Sequence, residues 1–495
     1  MQDVIEAGLF INGAASDAAD GGRYEIFNPA RPDELVGTAA EATDADVQAV
    51  VDTAHAAVPA WARLSVAERA DYLLKIADML QQDEADMEAR ARLFTRENGK
   101  ILFESRLEVG RIWRRFQQVA SYAERLAEEE VIAGPPFDTI IARQSMGVCL
   151  LIIPWNWPLS LIASKLPQAL LAGNTVVVKP SESATLMPTI TLHKIAKLLP
   201  PGVLNVITGD ARRFGDDLVG HPKVRMVNFT GSVPVGRHVM QVAARNITPV
   251  TLELGGNDAG LVLQDAELDE DAFVRLRQAS FMTTGQVCMA LKRLYVHRSR
   301  YDEVIDGLRK MLDEAVVGDG LIEETTMGPL NSKRQLGIVS GFVDEARVAG
   351  AEIEAHGTVP DEALFNGGGY FMRPMLVLNP DPSLKVVAEE QFGPVLPIIP
   401  FDSEDGAIAL ANDTPYGLCS SVWTSDKDRA TNIARQLEAG MTYINGHGPM
   451  MMDGRSPFGG FKQSGIGRNY GFEGVVQFQE YHSIIGNAGT FVATS

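Results

Sequence analysis

The sequence predicts an α/β fold built on a doubly wound parallel sheet, and three observations carry that prediction. Between residues 148 and 254, five short apolar runs alternate with amphipathic stretches. Each run spans about four to six residues, too short for a helix and apolar enough for a strand buried on both faces. The unusual polar residues and glycines gather where the runs end, and open α/β sheets bind ligands at the carboxyl ends of their strands.

Taken in order, residues 64–126 read as helical, rich in Ala, Leu, Arg and Glu with few breakers. Gly134, Pro135 and Pro136 interrupt the pattern. Strands follow at 148–153, 175–178, 203–207, 225–229 and 250–254. Helices at 159–171, 186–198, 211–219 and 235–245 connect them. Strands alternating with helices imply right-handed crossovers and parallel pairing. After Gly255 and Gly256 a second αβ series begins, with a helix at 270–282 and a strand at 293–297, and runs to about residue 440. From Ser456 the chain is Gly-rich to Gly474, then strand-like over 475–485. It shows no internal repeat and no low-complexity tract.

Composition narrows the class. A chain of 495 residues exceeds one hydrophobic core, so two or three packed units are expected. The formal net charge of −20 argues against a nucleic-acid or anionic-membrane partner, which demands a basic face. Cys149, Cys288 and Cys419 form no Cys-x-x-Cys pair and no disulfide framework, which fits a reducing, cytoplasmic setting. Residues 1–22 carry Asp3, Glu6, Asp17 and Asp20 but no positive start for a secretory signal. Residues 144–164 are uncharged, yet Pro154, Asn156 and Pro158 would leave a membrane-spanning helix with unsatisfied backbone. The eight histidines are scattered, and no metal is expected.

A few residues stand out chemically. Cys288 follows a helical stretch in Thr283-Thr284-Gly285-Gln286-Val287-Cys288, a polar and flexible loop where a thiolate can be reached. A buried structural thiol is the alternative, and Cys149 and Cys419, set in apolar runs, fit it better. Glu253 ends an apolar strand, where burial raises a carboxyl pKa toward that of a general base; a helix-capping carboxylate is the competing reading. Asn156, between Pro154 and Pro158, can donate to a developing oxyanion or bond its own turn. Phe229-Thr230-Gly231-Ser232 follows a strand and opens a helix whose free N–H groups suit a diphosphate. Lys179 and Glu182 sit at another strand end, where they can meet ribose hydroxyls or solvent. The chain lacks a Gly-x-Ser-x-Gly elbow, a Gly-Lys-Ser/Thr phosphate loop and a His-Glu-x-x-His pair.

In order along the chain, Pro154-Trp155-Asn156-Trp157-Pro158, Lys179-Pro180-Ser181-Glu182, Phe229-Thr230-Gly231-Ser232, Leu252-Glu253-Leu254-Gly255-Gly256 and Gly285-Gln286-Val287-Cys288 resemble the aldehyde dehydrogenase superfamily. So do Glu390-Gln391-Phe392-Gly393-Pro394, Asn412 with Tyr416-Gly417-Leu418, and Ser456-Pro457-Phe458-Gly459-Gly460. The resemblance implies an NAD(P)-dependent enzyme of the hydrolytic type. In it Cys288 attacks an aldehyde, Asn156 and the Cys288 N–H hold the oxyanion, and Glu253 activates water. NAD, or alternatively NADP, would be bound by Ile153, Pro154, Trp155, Lys179, Glu182, Gly209, Phe229, Gly231, Ser232, Leu254, Glu390 and Phe392. Glu182 leans toward NAD because its carboxylate accepts from a ribose 2′-hydroxyl and repels a 2′-phosphate.

The resemblance also implies a dinucleotide-binding domain (1–126 and 146–254), a catalytic domain (255–455) and a bridging sheet (127–145 and 475–495) that joins a homodimer or homotetramer. After the nucleophile, Leu291-Lys292-Arg293 departs from the usual continuation. A coenzyme A-acylating relative is one alternative, although such relatives typically lack the glutamate at the place of Glu253. A semialdehyde-specific dehydrogenase is another, and a non-enzymatic binding protein a third. By motif position the substrate tunnel is lined by Trp157, Leu161, Met282, Val287, Met289, Met450, Met452 and Phe458. An apolar, Met-rich lining points to an aromatic or medium-chain aldehyde over a charged semialdehyde.

Overall fold

The structure, a computed structural model, describes residues 4–491. At its centre five parallel strands run in the order Val250–Glu253, Val224–Thr230, Val148–Ile152, Thr175–Lys179 and Leu204–Val206. Val148–Leu151 and all of Thr175–Lys179 are buried, as expected of β-branched and apolar strands covered by helices on both faces. Antiparallel strands extend both edges: Gly465–Ile466 beside Val250–Glu253, and Leu9–Ile11 with Ala14–Ser16 beyond Leu204–Val206.

The strand order reverses at Val148–Ile152, which has the strand that follows it in sequence on one side and Val224–Thr230 on the other. Beyond the carboxyl ends of these two strands lies the crevice where doubly wound sheets take their ligands. A second sheet of seven strands runs Glu352–Ala355, Met375–Leu378, Val395–Phe401, Leu291–His297, Asp258–Val262, Cys419–Trp423 and Met441–Ile444, all parallel except the first pairing. A small apolar cluster gathers Val287, Met289, Leu418, Tyr443 and Phe458, with Cys288 and Trp157 packed against it.

The helical stretch 64–126 resolves into Val66–Gln81, Glu84–Asn98, Leu102–Val109, Ile112–Ala120 and Ala123–Ala127. Its starts follow capping chemistry: Ser65 and Glu68 form a reciprocal box, and the Asp83 side chain accepts from the Asp86 N–H. One expected helix is corrected. Residues 159–171 form two short helices, Pro158–Ala163 and Leu166–Leu171, because Pro167 has no N–H to continue the ladder and Lys165 turns away at φ −133°.

The third sheet contains Glu130–Ile132, Phe137–Ser145 and Gln479–Asn487, with full antiparallel pairing of the last two. The strand expected at 475–485 therefore starts later. Gly471–Val476 is helical, and Val475 and Phe478 are drawn into the first core. Residues 492–495 of the expected bridging segment, and Asp3 of the N-terminal reading, lie outside the described residues. A further sheet of Ile5–Ala7, Arg31–Ala40 and Arg23–Asn28 is absent from the sequence reading.

Candidate active site

The Cys288 loop leaves the helix Glu270–Phe281 through Thr283, Thr284 and Gly285 at φ +52°, +56° and +71°. Left-handed backbone is costly for a β-branched residue and persists only where its surroundings fix it. Here they do. The Thr283 N–H donates to Glu104 Oε1 at 2.6 Å, and Trp157 Nε1 donates to Thr283 Oγ1 at 3.1 Å. Thr284 Oγ1 donates to the Gly328 carbonyl at 2.9 Å. The Gln286 amide donates to Thr283 O and accepts from Asn331 N–H. At Gly285 a Cβ would lie 2.2 Å from the Gly393 carbonyl oxygen, so only glycine fits. The loop expected to be flexible is buried and pinned, because its polar side chains turn inward to bond backbone.

Cys288 is half-buried, whereas Cys149 and Cys419 are buried. Burial pushes its thiol up to about 12, and the Lys292 ammonium pulls it back down. Lys292 is itself buried; its Nζ donates to the carbonyls of Cys288 (2.6 Å) and Val287 (2.9 Å) and lies 3.1 Å from Glu390. Asn156 is buried, and its Nδ2 donates to the Gln286 carbonyl at 3.0 Å, beside the nucleophile's turn.

Glu253 is buried at the end of its strand. Burial pushes its carboxyl up to about 8, with Lys165, Arg468 and a hydrogen bond from Asn469 opposing the shift. One carboxylate oxygen accepts from Asn469 Nδ2 at 3.2 Å, and the other has no hydrogen-bond partner among the described residues. Behind it runs a buried chain. Asn228 Nδ2 donates to Asn469 Oδ1 at 2.8 Å, and Lys165 Nζ donates to Asn228 Oδ1 at 2.6 Å. Burial pulls the Lys165 ammonium down to about 8, and the Glu253 charge opposes that.

Two cavities flank Cys288, and both Cys288 and Asn156 line each of them. The first, about 270 Å³, opens at the sheet's reversal point. Of the residues expected to hold the cofactor, Pro154, Trp155, Gly231, Ser232, Leu254, Glu390 and Phe392 line it. Ile153 and Phe229 are buried outside its lining. Lys179 and Glu182 pair with each other at 3.0 Å, and they and Gly209 lie outside that lining as well. Thr230, Gly255, Gln335 and Ile338 complete the wall. Thr230 and Gly255 sit inside motifs already singled out, whereas Gln335 and Ile338 come from a helix, Lys333–Val348, with no distinguishing pattern.

The second cavity, about 220 Å³, is lined by Trp157, Leu161, Val287, Met289, Met450, Met452 and Phe458, as expected from the sequence. Met282 is the exception. It is buried where the helix Glu270–Phe281 ends and is outside the lining. Sequence reasoning missed part of the lining, Leu107, Glu108, Arg111, Ile112 and Arg115. Those residues lie far from Cys288 in sequence, on helices whose pattern is ordinary. Glu253 lines neither cavity.

The chain is similar to known proteins over nearly its whole length. The family model described as "Aldehyde dehydrogenase family" matches residues 16–484. A geranial dehydrogenase from Castellaniella defragrans is 37% identical over 482 residues, covering 96% of this chain and 98% of the relative. A phenylacetaldehyde dehydrogenase from Pseudomonas fluorescens is 36% identical over 492 residues, covering 96% and 95%. A crystal structure of betaine aldehyde dehydrogenase from Staphylococcus aureus in complex with NAD+ superimposes with a TM-score of 0.91 at 32% identity, covering 98% of this chain and 95% of that one. The chain belongs to the aldehyde dehydrogenase family.

Proposed function

We propose that this enzyme oxidises its aldehyde to a carboxylic acid through a covalent adduct on Cys288, with NAD as the hydride acceptor. The observation that carries the reading is that Cys288 and Asn156 stand at the wall shared by the two cavities. One cavity suits a dinucleotide and the other an aldehyde with an apolar body. The lining of the first suits its cofactor in chemistry. Gly255 makes room for the Glu390 carboxylate, whose Oε2 would lie 2.1 Å from a Cβ there, and that carboxylate is able to accept from ribose hydroxyls. When bound, the nicotinamide supplies the hydride acceptor.

The chain's own groups do the rest. Cys288 Sγ, as thiolate, bonds to the aldehyde carbon, and the carbonyl oxygen takes the electron pair. Asn156 Nδ2 and the Cys288 N–H are placed to donate to that oxygen. Loss of hydride leaves a thioester on Cys288, and water cleaves it to release the acid and the thiol. Glu253, held near 8, accepts the water's proton with the carboxylate oxygen that has no other partner. The Lys292 charge helps to form the thiolate from a thiol that burial holds near 12. Splitting the oxidation into acylation and hydrolysis replaces one hard step with two easier ones.

Glu253 also favours water over coenzyme A as the acyl acceptor. Glu182 favours NAD, while Lys179 beside it offers a 2′-phosphate a counter-charge, so both cofactors are to be assayed. The first sheet with its helices (1–126 and 146–254) is read as the dinucleotide unit, 255–455 as the catalytic unit, and 127–145 with 475–495 as the bridge to a second copy. The Met-rich second cavity favours aromatic or medium-chain aldehydes over a short charged semialdehyde such as succinic semialdehyde. NADH formation with hexanal, benzaldehyde and succinic semialdehyde, with and without coenzyme A, tests the whole reading. Cys288→Ala should abolish turnover, and mass spectrometry should trap an acyl group on Cys288 in the wild type. Turnover surviving in that variant, or succinic semialdehyde ranking first in kcat/KM, would discard the mechanism or the substrate class respectively.

A further inference from the structure

We infer that the second cavity selects aldehydes whose far end carries a carboxylate, read by Arg111 and Arg115 across an apolar spacer. The inference rests on Cys288 being the nucleophile of that cavity. The chain holds 64 acidic against 44 basic residues, yet Arg111, Arg114 and Arg115 crowd into five positions, and none pairs with a carboxylate among the described residues. Arg111 and Arg115 both line the cavity. Four residues apart at the start of the helix Ile112–Ala120, they lie on one face, where like charges repel unless an anion sits between them.

Arg115 is held in place, with its guanidinium 4.7 Å over the Tyr470 ring and its Nη1 donating to Gln118 Oε1 at 2.6 Å. Arg111 is exposed and makes no side-chain hydrogen bond among the described residues. The acids nearby are already committed. Glu108, in the cavity wall, pairs with Lys100 at 2.7 Å and accepts the Ser160 N–H at 2.9 Å, and Asp453 is bound by Arg455 at 2.7 Å. Asp453 also feels the Arg115 charge, but Arg455 already binds its carboxylate, so an incoming anion meets two forked donors whose neighbouring acids are paired elsewhere.

The spacer follows from the other end. Val287 and Met289 flank Cys288, and Trp157 and Leu161 continue an apolar wall. A carboxylate one or two carbons from the aldehyde would be desolvated there without a partner. A chain or ring of medium length places it at the arginines instead, which names a substrate class: medium-chain ω-carboxylated or carboxyaryl aldehydes.

Matched pairs test this: 6-oxohexanoate against hexanal, and 4-carboxybenzaldehyde against benzaldehyde, with betaine aldehyde as a cationic probe. The carboxylated member should lead in kcat/KM by at least about tenfold, chiefly through KM, as two charge-assisted hydrogen bonds would give. Betaine aldehyde should rank last. The Arg111→Gln/Arg115→Gln double variant should erase the preference, and Lys at both positions should restore it in part. Calorimetry on Cys288→Ala supplies a readout free of chemistry, in which adipate should bind more tightly than hexanoate. Equal kcat/KM within the pairs, equal binding of the two acids, or a preference surviving in the double variant overturns the inference. Turnover by Cys288→Ala would instead indict the nucleophile, and the binding comparison would still decide the role of the arginines.

Discussion

At the scale of single residues, the proposed chemistry turns on what burial does to the Cys288 thiol and the Glu253 carboxyl. A carboxyl at about 8 is largely protonated at neutral pH, and only its ionised form can take a proton from water. The deacylation rate should therefore rise as pH passes upward through about 8. Glu253→Gln should lose that limb and slow turnover by about a hundredfold or more, while a stoichiometric burst of NADH survives, since acylation precedes the missing step. A steady-state profile and a rapid-mixing burst measurement check this; a variant with no burst would move Glu253 to the acylation step. The same shift has a sign for stability. A folded-state pKa raised above the ordinary 4.5 means that the fold holds this proton more tightly than the unfolded chain does. That contribution is fully present below about 4.5 and is lost as pH rises through about 8, so the Tm of Glu253→Gln relative to wild type should increase over that window. Cys288, Glu253 and Asn156 were legible because each is an odd residue in its local run. Lys165, Asn228, Asn469 and Lys292 were not: a lysine or asparagine looks ordinary until the fold buries it beside a charge.

At the scale of elements, the site depends on how the helices before the first parallel strand clamp the Asn156 turn and the Cys288 loop. Lys100 and Glu108 are fully buried as an ion pair at 2.7 Å. Lys100 also lies 4.2 Å over the Trp157 ring, and Glu108 accepts the Ser160 N–H in the first turn of Pro158–Ala163. Removing one partner strands a charge in the interior, at a cost of about 3–5 kcal/mol. Lys100→Met should thus lower the unfolding temperature sharply and raise KM through Trp157. Lys100→Met/Glu108→Leu should recover much of the stability, and a double variant less stable than the single one would refute the ion-pair account. Strands such as Thr175–Lys179 were readable because a strand buried on both faces must be apolar throughout. The N-terminal strands were not, since Ala14–Ser16 is wholly exposed and carries no alternation. The left-handed backbone at Thr283 and Thr284 left no trace either, because distant partners, Glu104 and Gly328, hold it.

At the scale of the whole molecule, the sheet of Glu130–Ile132, Phe137–Ser145 and Gln479–Asn487 is the part whose surface does not suit solitude. Val131, Ile132, Phe137, Tyr481, Ile484 and Ile485 are exposed on it, and its outer strands leave unpaired backbone. Apolar patches with open strand edges associate unless something covers them. A second copy of the chain is the covering surface proposed for the bridge, and closed homo-oligomers reuse one patch against itself. Light scattering on the eluting protein should then give a multiple of 53.6 kDa at micromolar concentration. Ile132→Lys/Ile485→Lys places charges in the same patch without touching either cavity, so it should shift the mass toward that of one chain and lower the Tm. Wild type running at one chain's mass across the concentration range would leave this sheet without its proposed partner.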